Sequence, residues 1–257
     1  MANQSSTQTN SSWCALIADD IDANRLLLSS YLQSMGFAVD EVDGGRPAID
    51  MLTSKRYDLA LLDWHMPGID GLDVIREIRS AEMGGDYRTP ISIVTASSVQ
   101  TGRQYCLDHG ADDYITKPVS VEQLTSVVRS ITQIDAVAPT HAEEAAQKPH
   151  AVDQLISQLG ESTVAEVIEV FLSDLDHRHL VLVSSLTDGD MNSARREAHT
   201  VKSPGYILGA TCLSELCESI ESGSFDTELI LGQVTECFAE TRKTLEKRLT
   251  DMKRVKL

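Results

Sequence analysis

A chain of 257 residues has room for two ordinary domains, and its hydrophobic share of 42% is that of globular proteins. The net charge of −17 excludes nucleic acid as the main partner, because phosphate backbones are met with Lys and Arg, and neither half of the sequence is basic. No apolar run approaches the roughly 20 residues of a membrane helix, so no membrane insertion is expected. The polar start, residues 1–12, lacks the basic head and apolar core of a signal peptide. A stand-alone cytoplasmic chain is expected. The five cysteines (Cys14, Cys106, Cys212, Cys217, Cys237) are odd in number and lack C-x-x-C spacing. They are expected to be reduced, buried, small apolar residues.

Residues 13–134 alternate strand and helix signals. The apolar run Cys14–Ala18 ends in Asp19-Asp20. A helix capped near Asp22 follows and stops at Gly36. Phe37–Val42 reads as a second strand, and Pro47 to about Ser54 as a second helix. The run Leu59-Ala60-Leu61-Leu62 then ends in Asp63, and a Pro67-Gly68 turn follows at once. Short continuous apolar runs are those of strands buried on both faces of a parallel sheet. A helix over Gly71–Ser80, a strand over Ile91–Thr95, a more polar helix near Val99–His109, a strand over Asp113–Thr116 and a helix after Pro118 complete the series. This alternation predicts a five-stranded, doubly wound, flavodoxin-like α/β domain. Residues 135–150 are rich in Ala, Glu, Pro and His and read as a linker. Residues 151–257 show helical periodicity only, and their amphipathic helices with short loops predict an all-α antiparallel four-helix bundle.

The chemistry gathers at strand ends. Asp19, Asp20 and Asp63 converging there would repel unless a counter-charge is present. A hard cation such as Mg2+, which accepts carboxylates together with water and phosphate oxygens, answers that need. Asp63 is then a candidate nucleophile toward phosphorus, with Thr95 as a hydrogen-bond donor and Lys117 as a neutralising ammonium. Taken singly, each of these residues has an ordinary structural reading. Their placement at successive strand ends gives the set its weight. In the second domain, His199 has Arg195, Arg196, Lys202 and Ser203 one turn away, a basic and uncrowded setting for a phosphorylated imidazole. Ala194, Ala198 and Val201 form the buried side of that helix, so His199 is expected at its exposed edge.

With these residues in place, residues 13–134 resemble the receiver domain of two-component response regulators. The resemblance implies that Asp19-Asp20 is the acidic pair, with Asp20 the direct metal ligand, and that Asp63 is the phosphoacceptor. It adds the His65 backbone carbonyl to the metal ligands. Thr95-Ala96 matches its hydroxyl-plus-small pair, and Lys117-Pro118 its lysine and following, usually cis, proline. Tyr114 occupies the place of a switching aromatic, and His65 and Ser97 that of side chains that tune phosphoryl lifetime. The segment Ala198-His199-Thr200-Val201-Lys202-Ser203, with Gly209-Ala210 and then Leu213, Leu216, Cys217 and Glu221, resembles the histidine phosphotransfer (HPt) domain. It implies His199 as phosphohistidine, with Arg195, Lys202 and Ser203 around it. Ser203 stands where the family commonly has Gly. Pro204 removes a helical donor and crowds the carbonyl of Thr200, so a kink or early helix end is expected there.

These resemblances imply a phosphorelay protein served by a sensor histidine kinase, with a separate receiver or HPt protein as a further candidate partner. No ATP-binding segment is visible, so the chain is not a kinase by itself. The alternatives are a receiver that gates access to His199 without internal transfer, a phosphate sink, a piece of a hybrid kinase, and a magnesium phosphohydrolase.

Overall fold

Each apolar run becomes a strand, and the alternation of side chains along it feeds two cores. The computed structural model describes residues 13–95, 100–132, 151–226 and 229–254. Strands β1 (Trp13–Ala18), β2 (Phe37–Val42), β3 (Leu59–Asp63), β4 (Ile91–Thr95) and β5 (Asp113–Thr116) pair in parallel in the order β2-β1-β3-β4-β5. Leu16, Ala18, Ala60, Leu62, Ile91 and Ile93 face one core, under α2 (Gly45–Ser54), α3 (Gly71–Ala81) and α4 (Gln100–Asp108). Ala15, Ile17, Leu59, Leu61, Val94 and Ile115 face the other, under α1 (Asp22–Ser34) and α5 (Val121–Thr132). Both faces are covered, so the runs have no polar alternation. The order reverses between β1 and β3, and the crevice outside their carboxyl ends is where such sheets hold ligands. Asp19, Asp20 and Asp63 stand there.

The helical domain consists of α6 (Ala151–Leu159), α7 (Glu161–Thr187), α8 (Met191–Ile207), α9 (Thr211–Ser222) and α10 (Ile230–Arg254). Helices α7 to α10 pack around one core, each against its neighbours, as the expected four-helix bundle. The short α6 lies on α7 and reaches α1 of the α/β domain.

Helix α1 joins the two domains. Its Leu27, Leu28, Tyr31 and Leu32 belong to one buried apolar cluster that runs from the sheet into the bundle, where it includes Val167, Ile168 and Phe171. Tyr31 is buried against this seam, its hydroxyl 3.4 Å from Gln158 Oε1 of α6. Burial pushes its phenol up to about 12. A cavity of about 230 Å³ remains in the seam, lined among others by Asp20, Asp22, Arg178, Thr200 and Pro204.

Helix α1 opens at Asp22 with Ile21 in the cap position, whose N–H is satisfied by Asp19 Oδ1 at 2.9 Å. Two expectations are corrected. Helix α8 does not end at Pro204 but continues to Ile207. The proline falls in its last turns, where one missing donor costs few bonds, and Ser214 Oγ gives the Lys202 carbonyl an extra partner at 3.0 Å. The cysteines are not all buried thiols. Cys106 and Cys217 are buried and Cys14 is half-buried, but Cys212 and Cys237 are joined sulfur to sulfur between α9 and α10, with Cα atoms 6.3 Å apart. That separation lies within the range a disulfide spans. The linker over 135–150, Ala96 and Ser97 lie outside the described residues.

Gly71 opens α3 against the end of β3. Its N–H donates to the Trp64 carbonyl at 2.9 Å, and a Cβ there would stand 2.4 Å from the Asp63 carbonyl oxygen. Backbone cannot yield as a side chain does. Gly71→Ala is therefore expected to cost about 2 kcal/mol of stability, measured as a fall in the urea midpoint of the chain. An unchanged midpoint would mean that α3 can slide off the strand end.

Candidate functional site

The ends of β1 and β3 bring the acidic cluster together. Ligand atoms from Asp19, Asp20 and Asp63 lie within 4.8 Å of one another. Lys117, on the loop after β5, reaches between them: Nζ donates to Asp19 Oδ2 at 2.7 Å and lies 2.9 Å from Asp63 Oδ2. Its side chain is only 4% exposed, and that of Asp63 only 2%. The Lys117 N–H donates to the Thr95 carbonyl at 2.6 Å, which ties the ends of β4 and β5, and the Lys117-Pro118 bond is cis.

The three carboxylates are not equivalent. Asp19 is held in place by Asn24 Nδ2 (3.2 Å to each oxygen), the Ile21 N–H and Lys117. Asp20 is half-buried, and burial together with the Asp19 charge raises its carboxyl above the usual range. Asp63 is pushed up to about 6, first by burial, with Lys117 opposing and Asp19 adding to the rise. On Lys117, burial alone would lower the ammonium, but Asp19 and Asp63 outweigh it and hold it above its ordinary value. One oxygen, Asp63 Oδ1, is buried without a hydrogen-bond partner. An acceptor left over among three carboxylates and one ammonium suits a hard divalent cation. Thr95 is fully buried at the end of β4. Tyr114 packs toward α4, its hydroxyl 3.7 Å from where a Cβ on Gly102 would be.

The helical domain turns His199 toward this crevice. The His199 and His65 rings meet edge-on with centroids 5.7 Å apart. Within its own domain, His199 Nδ1 lies 2.5 Å from Glu221 Oε1 of α9, and Lys202 pairs with the other oxygen of Glu221. Burial works against the charge of Glu221, yet the His199 and Lys202 contacts hold its carboxyl below the usual range. An ionised carboxylate only accepts, so Nδ1 is the nitrogen that donates to Glu221, and Nε2 is the nitrogen left out of that bond.

Residues 15–129 match the family described as the response regulator receiver domain, and residues 166–252 the Hpt domain. The chain carries a receiver domain followed by an Hpt domain. The aerobic respiration control sensor protein ArcB of Escherichia coli (strain K12) is 29% identical over 214 residues, which are 80% of this chain and 27% of that protein. The sensor histidine kinase GacS of Pseudomonas protegens is 30% identical over 219 residues, 80% of this chain and 24% of that protein. The chain thus spans about a quarter of the length of these curated relatives. The solved receiver domain of the sensor histidine kinase PA1611 from Pseudomonas aeruginosa PAO1 is 32% identical, with a TM-score of 0.44, and covers 48% of this chain and 99% of that one. A receiver joined to an Hpt domain is the make-up of a two-component phosphorelay. Among the described residues no helix is long and apolar enough to cross a membrane.

The receiver brings together Asp19, Asp20, Asp63, Thr95 and Lys117. The Hpt domain brings together His199 and Lys202. Other expected neighbours of His199 stand differently. His199 itself is half-buried at the seam rather than on an open edge. Arg195 is exposed, with its guanidinium beside Gly223. Ser203 is buried and its Oγ has no partner. Two contributors have roles the sequence did not announce: Asn24, five residues from Asp19, and Glu221, which stood in the Hpt motif without an assigned contact.

Glu221→Ala is expected to cost about 1 kcal/mol, since the pairs it removes are partly exposed. The urea midpoint of the chain measures this. In the same variant, nitrogen NMR of His199 should change from one tautomer, protonated at Nδ1, to a mixture.

Proposed function

We propose that this chain performs two successive phosphoryl transfers. In the first, Asp63 attacks a phosphohistidine of a sensor histidine kinase: the N–P bond breaks and an Asp63 O–P bond forms. In the second, His199 Nε2 attacks the acyl phosphate, the O–P bond breaks, and the Asp63 carboxylate leaves with the electron pair. The observation that supports this most is the meeting of the His199 ring with the rim of the receiver crevice, through His65, within one chain.

The residues present fit Mg2+. Asp20 and Asp63 Oδ1 would hold it, with Asp19 and the His65 backbone carbonyl completing the set. When bound it neutralises charge on the transferring oxygens. Lys117, between Asp19 and Asp63, would do the same, and Thr95 would donate to a phosphoryl oxygen. Glu221 accepts from Nδ1 and so leaves Nε2 as the attacking nitrogen. Tyr114 as the switching aromatic belongs to this reading too.

A second reading, in which the receiver only gates access to His199, draws support from the seam itself. The apolar packing of α1 on α6 and α7 would hold His199 against the receiver whether or not transfer occurs.

Incubation with Mg2+ and a small acyl phosphate separates the two. Acyl phosphate label is lost in base and phosphohistidine label in acid. Wild type should gain both, His199→Gln only the first, and Asp63→Asn neither. Label confined to Asp63 in wild type would overturn internal transfer and leave the gate. The metal has its own check. Asp63 must be ionised to bind a cation, so Mg2+ affinity should be flat above pH 6 and fall by up to about tenfold per unit below it. Emission of Trp64, next to Asp63, reports binding when Trp13 is replaced by Phe. A flat profile from pH 5 to 7 would remove Asp63 from the ligand set.

A further inference from the structure

Glu221 grips His199 at one atom only. A ring held by a single hydrogen bond can still swing about that bond, and in-line attack needs the Nε2 lone pair aimed at phosphorus. The remaining restraint comes from the receiver. His65 meets the His199 ring edge-on at 5.7 Å, a preferred arrangement of two flat rings. His65 is itself backed. It stacks on Trp64, with centroids 5.6 Å apart and planes 13° apart. Trp64 stacks on Tyr105 of α4 at 6.0 Å and 3°. Tyr105 packs on His109 at 4.0 Å, and His109 Nδ1 lies 2.7 Å from the Tyr105 carbonyl. One turn before Tyr105, Gly102 leaves room for the column: a Cβ there would touch the Trp64 ring at 3.7 Å.

We propose that this column of rings is the receiver's positioning device for the phosphohistidine. His65 fixes the rotation of the His199 ring, and Trp64 and Tyr105 keep His65 in place. The inference rests on the reading that Asp63 passes its phosphoryl group to His199. The side chains of the column give and take no proton in that step; they act by orientation. Misplacing a reacting group by about 1 Å can cost on the order of a hundredfold in rate, so a ring set loose should be felt clearly. A small donor has no imidazole for the column to hold, so loading of Asp63 should not depend on Tyr105.

The test follows both labels by rapid quench in the full chain, with Mg2+ and acetyl phosphate. The variants are His65→Ala, His65→Phe and Tyr105→Ala. Transfer from Asp63 to His199 should slow about tenfold in His65→Ala and about threefold in Tyr105→Ala. His65→Phe, which keeps a flat ring, should return to within about twofold of wild type. Loading of Asp63 in Tyr105→Ala should match wild type, while Trp64 emission shifts as its stacking partner is lost. Transfer at the wild-type rate in His65→Ala and Tyr105→Ala overturns the proposal and leaves internal transfer standing. Loading and transfer slowed in equal proportion also overturn it, because the rings would then serve the receiver's own chemistry. Wild type that loads Asp63 but never labels His199 sinks the transfer reading, and the positioning role with it.

Discussion

A buried ammonium between buried carboxylates is the constraint from which the rest of this molecule follows. Lys117 is almost fully enclosed and contacts both Asp19 and Asp63. Such a group is tolerated only when its charge is matched and its donors are used. The ends of β1, β3 and β5 must therefore converge, which fixes the crevice at the point where the strand order reverses. The match is incomplete: three carboxylates meet one ammonium, and Asp63 keeps an oxygen without a partner. The imbalance that costs folding energy is also what makes the crevice receptive to a cation and to a phosphoryl group.

The Hpt domain presents a smaller counterpart. Glu221 shares its two oxygens between His199 and Lys202, so one carboxylate orients the imidazole and holds an ammonium beside it. Helix α9 must lie close to α8 for this to happen. Gly205 permits it, since a Cβ there would stand 3.0 Å from Ser214 Oγ. The small residues around His199 thus serve the approach of two helices within the domain. Ser203, read from sequence as part of an uncrowded setting for His199, is buried.

Much of this was legible in the sequence, for physical reasons. Strands buried on both faces leave unbroken apolar runs, and the residue that ends each run stands at the mouth of the sheet. Asp19, Asp20, Asp63, Thr95 and Lys117 could be placed from that alone. The helices of the bundle were marked by their stripes and by glycines with positive φ, such as Gly189, Gly209 and Gly223. Contacts between elements distant in the chain left no such mark. The Cys212–Cys237 pair spans 25 residues and two helices. Trp64 and Tyr105 read separately as a turn residue and a helix residue. The reach of α1 into the second domain was hidden because its apolar positions looked fully accounted for by the first. Pro204 misled through a sound rule applied without regard to how near the helix end it lay.

That double duty of α1 bears on how the chain comes apart. A helix whose apolar side chains join two cores cannot lose one neighbour without exposing surface that the other was also covering. Receiver and Hpt domain are therefore coupled in their melting: partial unfolding of either strips cover from Leu27 and Tyr31, and cooperativity extends across what the sequence divides. The same coupling limits change. A substitution on this helix is tested against two interiors at once, so α1 has less freedom to vary than a surface helix of a solitary receiver would have.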